Sequence, residues 1–138
     1  MQKTYREIIA FISVASSWLE HNPKESKFRY AVKKVVKQCS TLKDRYFEQA
    51  EDLDIEHCVE KDGVISKDAN GGINFSKDGL RNRNKARRAL FETSVEVMPF
   101  LSKDSPDDLT EAERDAFAGF VIAETSSGIS DGNVVDQP

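Results

Sequence analysis

Between Phe28 and Leu53 the apolar residues step by four and three, and this stripe constrains the fold more than any other feature. Phe28, Val32, Val35, Cys39, Leu42 and Tyr46 keep the rhythm, Gln49 interrupts it once, and Leu53 resumes it. A heptad pattern sustained over that length predicts one helix from about Glu25 to Leu53. At about 1.5 Å per residue it would be roughly 40 Å long. Such a stripe has to be covered, either by a partner in a coiled coil or by another part of the same chain. An intramolecular antiparallel hairpin is the favoured reading, because short connections join antiparallel neighbours.

Residues 3–21 supply the second arm. Tyr5, Ile8, Ile12, Ala15 and Leu19 recur at helical spacing, and Phe11, Val14 and Trp18 widen the face. Asn22-Pro23 ends this helix, since the residue before a proline is pushed out of the helical region. The first arm is the shorter, so the C-terminal end of the second is expected to overhang. Trp18, Phe28, Tyr46 and Leu53 are the candidate partner-binding anchors wherever the stripe exceeds its cover. Core burial is the competing expectation, stronger for Trp18 and Phe28 than for Tyr46 and Leu53.

The period changes after Leu53. Ile55, His57 and Val59 alternate with polar residues, Lys61-Asp62-Gly63 is a turn, and Asp68-Ala69-Asn70-Gly71-Gly72 is another. Two or three short strands are expected, in an arm that must pack on something. Ser76 is placed to cap a helix over 77–93, with Gly79 weakening its first turn. Val95-Glu96-Val97 has strand alternation before Pro99. Thr110-x-x-Glu113 is a capping box opening a helix over 110–123. The expected fold is therefore α+β, mainly α: an antiparallel helical hairpin, a small β-hairpin arm around 55–75 and 95–97, and two shorter helices. Residues 1–123 make one domain. Residues 124–138 are an acidic Ser/Gly-rich tail, expected to be disordered without a partner.

The chain has 138 residues and a net charge of -4, enough for a modest core. No run approaches the roughly 20 apolar residues that span a bilayer, and Met1 to Asn22 does not have the pattern of a signal peptide. Two cysteines, Cys39 and Cys58, do not build a disulfide scaffold and point to a reducing compartment. The charge comes in blocks: +6 over residues 1–45, -6 over 46–75, +5 over 76–90 and -9 over 91–138. Opposite blocks attract within a chain or between copies of it.

Motifs for chemistry are sparse. His21, Cys39, His57 and Cys58 form no C-x-x-C or H-x-x-x-H pair, so no zinc site or other cofactor is expected. Asp52, Asp54 and Glu56 open like a calcium loop, but His57 stands where glycine is needed. There is no nucleophile elbow, Walker loop or dinucleotide fingerprint, and no enzyme is expected. The sharpest local feature is the basic run Arg81, Arg83, Lys85, Arg87 and Arg88. On a helix, Arg81, Lys85 and Arg88 share one face and Arg83 and Arg87 a neighbouring one. Such a row suits phosphates, which makes nucleic-acid binding the alternative function. Lys33, Lys34 and Lys37 form a second basic patch, expected to be solvated. A second alternative is a small-molecule-sequestering or host-defence-inhibiting oligomer.

The order of these elements carries a resemblance. A long helix beginning Ala31-Val-Lys-Lys-Val-Val-Lys is followed by a Lys-Asp-Gly turn and an Asp-Ala-Asn-Gly-Gly-Ile-Asn-Phe turn and strand. A charged helix then leads into Val95-Glu96-Val97, and a helix start follows at Leu109-Thr110-x-x-Glu113. Over residues 1–123 this layout resembles a family of small, uncharacterised proteins of tailed bacteriophages and prophages. The resemblance implies a bacterial host cytoplasm or virion setting. With the residue reading it gives a non-enzymatic protein-interaction module, partnered by itself, by a virion or assembly component, or by a host protein.

Overall fold

A computed structural model describes residues 1–124; the expected tail beyond them lies outside the described residues. The chain runs β1 (Gln2–Thr4), α1 (Tyr5–His21), α2 (Lys27–His57), β2 (Glu60–Lys61), β3 (Val64–Ile65), α3 (Lys77–Phe91), β4 (Ser94–Glu96) and α4 (Glu111–Phe117). The fold is mainly helical with two small antiparallel sheets, β1 with β4 and β2 with β3.

The helical hairpin is present and its stripe is buried. Phe28, Val32, Val35, Cys39, Leu42 and Tyr46 all lie in the core against Tyr5, Ile8, Phe11, Ile12, Ala15 and Trp18 of α1. Ala50, one residue after the Gln49 interruption, continues the buried line. α4 and the turn after it close the hairpin. The Phe117 ring stands edge-on to Phe11, Trp18 and Phe28, and Phe120 stacks on Phe11 with centroids 4.3 Å apart.

Several boundaries differ from expectation. The first helix begins at Tyr5 rather than at residue 3, because Thr4 is its cap. The Thr4 hydroxyl accepts the Glu7 N–H at 3.1 Å, and the Glu7 carboxylate accepts the Thr4 N–H at 2.9 Å. Residues 2–4 are left free to form a strand. The Ile55-His57 alternation is not a strand: α2 continues to His57. Its last turns are held by α3, where Arg83 reaches Asp54, and this tertiary contact outweighs the local pattern.

Residues 94–96 pair with the N-terminal strand rather than with the arm, in the register Gln2↔Glu96, Lys3↔Val95, Thr4↔Ser94. The end of α3 is tied to the start of α1 by Arg6–Glu92 and by the Tyr5 N–H on the Thr93 carbonyl, which lays residue 94 beside residue 4. The arm itself is the β2–β3 hairpin, extended by a Lys67↔Ile73 bridge.

The last helix spans 111–117, not 110–123. Its capping box forms as expected. Gly119, at φ 81°, then reverses the chain, so Phe120 and Val121 reach the core from a turn. Gly79 has a different use. A Cβ there would lie 2.7 Å from the His57 carbonyl oxygen, so only glycine lets α3 start this close to the end of α2.

Candidate interaction surface

Three of the four expected anchors, Trp18, Phe28 and Tyr46, are buried. Trp18 and Phe28 are buried with Phe117. The expected overhang is covered by α3. Tyr46 is buried between Tyr5 and Phe91, with ring centroids 5.3 and 5.7 Å away. Leu53 is half-buried in the groove lined by Ala86, Ala89 and Leu90 of α3. Trp18, Phe28 and Tyr46 build the core and are withdrawn as docking anchors, whereas Leu53 stays partly accessible.

A cluster of exposed apolar residues lies on the other side of α2. Tyr30 is two residues beyond Phe28 and therefore points away from the core. The residue is 59% exposed, and its ring centroid stands 5.8 Å from that of Phe100. Phe100 is delivered by the segment after β4. Gln38 on α2 exchanges two hydrogen bonds with the Met98 backbone, and the Phe100 and Ser102 N–H groups donate to the Phe120 and Val121 carbonyls. Residues 98–102 are thus fixed between α2 and the final turn, with Met98 and Leu101 left exposed.

Lysines surround these rings. The Lys34 ammonium lies 5.2 Å from the Phe100 centroid and 5.9 Å from that of Tyr30. Lys27, Lys103 and Asp104 line the depression with Tyr30, Phe100 and Leu101. Lys33 and Lys37 line the adjoining one with Tyr30 and Lys34. The result is a shallow aromatic floor bordered by cations. Its chemistry suits a ligand that brings carboxylates together with an apolar or aromatic side chain. Tyr30, an aromatic among lysines on the polar face of the helix, was the sequence signal for this surface. The placement of Phe100 carried no such signal, because it depends on contacts with residues 38 and 120.

The basic run on α3 divides in two. Arg83 donates from Nε to Asp54 at 2.6 Å and stacks on Phe75 at 5.3 Å, and Arg87 approaches the same carboxylate at 4.0 Å. These two arginines tie α3 to α2 and do not form part of a free phosphate-binding row. Arg81, Lys85 and Arg88 stay exposed on the outward face, joined there by Lys77.

The potential chemical groups are dispersed. His21 ends α1, while His57 and Cys58 end α2 at the opposite end of the hairpin. Both cysteines are free thiols, and burial pushes the Cys39 thiol up to about 12. Among the described residues no three His, Cys, Asp or Glu side chains gather as a metal ion would require. No helix among them is long and apolar enough to cross a membrane. No protein-family model matches the chain, and neither a curated protein nor a solved structure is found to be similar to it.

Proposed function

We propose that the chain is a non-enzymatic protein-interaction module that docks an acidic segment carrying an apolar anchor. The observation behind this reading is the exposed Tyr30–Phe100 pair sharing the Lys34 ammonium, with further lysines on both sides. Aromatic rings supply contact area at low entropic cost, and the cations steer and orient an acidic partner. Under the phage-like layout, that partner is a second copy of the chain, a virion or assembly component, or a host protein.

Fluorescence anisotropy with a labelled peptide alternating glutamate and phenylalanine tests the reading. Binding should weaken by about tenfold or more in Tyr30→Ala/Phe100→Ala and in Lys34→Glu. A lysine-for-glutamate version of the peptide should not bind. Equal affinity of both peptides, or no loss in the double variant, overturns the reading.

A second reading draws on the exposed cations of α3. Lys77, Arg81, Lys85 and Arg88 would form a phosphate-binding row for nucleic acid, without Arg83 and Arg87. It requires steeply salt-dependent binding of a single- or double-stranded oligonucleotide. Failure of Arg81→Glu/Arg88→Glu to weaken that binding removes it.

A further inference from the structure

The outward face of α2 carries charge in an unusual order. Lys33, Lys34 and Lys37 occupy its first half; Asp44, Glu48, Glu51 and Asp52 occupy its second. All are exposed, and among the described residues none of the seven takes part in an ion pair. A helix can interleave opposite charges four residues apart and so satisfy them internally. Here three i,i+4 pairs on this face are of like charge, Lys33 with Lys37, Asp44 with Glu48 and Glu48 with Asp52, and Arg45 is the one exposed cation in the acidic half. The order also opposes the helix macrodipole, which favours acids near the N-terminus and cations near the C-terminus. The first turn of α2 contains no acidic residue.

An identical helix laid antiparallel across this face relieves both conflicts. With the two-fold axis near Thr41, Lys37 meets Asp44 of the other copy, Lys33 meets Glu48, and Tyr30 lies over Glu51. Every contact occurs twice, as an isologous interface requires. The small side chains of Ser40 and Thr41 sit at the crossing, where two helices need room to approach.

We infer that the acidic partner of the Tyr30–Lys34 surface is a second copy of this chain, docked antiparallel through the outward face of α2. This deepens the reading above and rests on it.

Two charge-reversed proteins test it: Lys33→Glu/Lys37→Glu and Asp44→Lys/Glu48→Lys. Sedimentation equilibrium of the wild type at low salt should show a dimer that dissociates in about 1 M salt, where screening acts over about 3 Å. Each charge-reversed protein alone should self-associate at least about tenfold more weakly. Mixed one to one they should dimerise, because all four facing pairs are then of opposite sign. Should a variant misfold, the wild type still decides the matter through carbodiimide cross-linking. Lys33 and Glu48 lie about 22 Å apart along one helix, so a zero-length link between them is necessarily intermolecular. A wild type that stays monomeric at low salt, with no Lys33–Glu48 link, overturns the inference. Retained binding of the acidic peptide by that monomer would leave the broader interaction reading standing, and its loss would remove both.

Discussion

The side-chain amide of Gln38 holds both hydrogen-bonding groups of the Met98 backbone, donating to its carbonyl and accepting from its N–H, each at 2.8 Å. This pair mimics one rung of a β-ladder between a helix side chain and an extended strand. It decides where Phe100 lies relative to Tyr30. Gln38→Ala should lower stability by only about 1 kcal/mol. It should nevertheless speed hydrogen exchange at Met98 and weaken acidic-peptide binding, although Tyr30, Lys34 and Phe100 are all retained. Unchanged binding with accelerated exchange would show that Phe100 is positioned by other contacts.

The two halves of the α3 basic run should respond differently to truncation. Arg83 and Asp54 are mostly buried, with side chains 21% and 23% exposed. Arg83→Ala leaves the carboxylate without its closest donor and should cost about 1–3 kcal/mol in urea unfolding. Arg81→Ala, on the solvent face, should stay within about 0.5 kcal/mol. Similar values for both would remove the strut assigned to Arg83.

Gly79 offers a case where intrinsic propensity and packing oppose each other. Helix propensity favours alanine over glycine by about 1 kcal/mol. The new Cβ would lie 2.7 Å from the His57 carbonyl oxygen and 3.0 Å from the Ser76 hydroxyl, inside any normal contact. Gly79→Ala is therefore expected to destabilise by about 1 kcal/mol or more, whereas Asn82→Ala on the exposed face should be neutral or slightly stabilising. Thermal unfolding of the two variants side by side checks the sign.

The two thiols should be distinguishable by their reactivity. Cys39 is fully buried and its thiol is pushed up to about 12 by desolvation, so almost no thiolate exists at neutral pH. Cys58 is only partly buried, at the end of α2. A disulfide exchange reagent should modify one thiol in the native protein and two in denaturant, and mass spectrometry should place the first at Cys58. Native labelling of Cys39 would mean that the hairpin opens readily.

Glu7 links the first cap to acid stability. Hydrogen bonding by the Thr4 backbone, ahead of the opposing effect of burial, holds its carboxyl below the ordinary glutamate range. A depressed folded-state value stabilises the fold fully above the unfolded-state value and loses that contribution as pH falls through the folded-state value. Glu7→Gln keeps an acceptor for the Thr4 N–H but does not titrate. The variant should therefore lose less stability than the wild type between neutral pH and pH of about 3, as measured by denaturant midpoints. Parallel pH profiles would deny the cap this role.

What could be read from the chain was what depends on local periodicity and capping. The α2 stripe, the Ser76 cap and the Thr110–Glu113 box each involve residues a few positions apart, and each appears as expected. What could not be read depends on partners far along the chain. The β4 strand was visible as a strand, but its mate at Gln2–Thr4 lies ninety or more residues away. Tyr46 looked uncovered because nothing local shows that Phe91 folds back over it, and Leu53 because nothing local shows that α3 lies beside it. The interaction surface shares this dependence: Tyr30 is conspicuous in the sequence, whereas Phe100 acquires meaning only through Gln38 and Phe120.

The closing role of Phe117, Phe120 and Val121 has a consequence during synthesis. Both arms of the hairpin leave the ribosome long before the residues that seal them. A nascent chain arrested near residue 108 would still present Phe11, Trp18 and Phe28 as an open hydrophobic trough. Chaperone capture should therefore persist until the last fifteen or so described residues emerge, and should cease abruptly once they do.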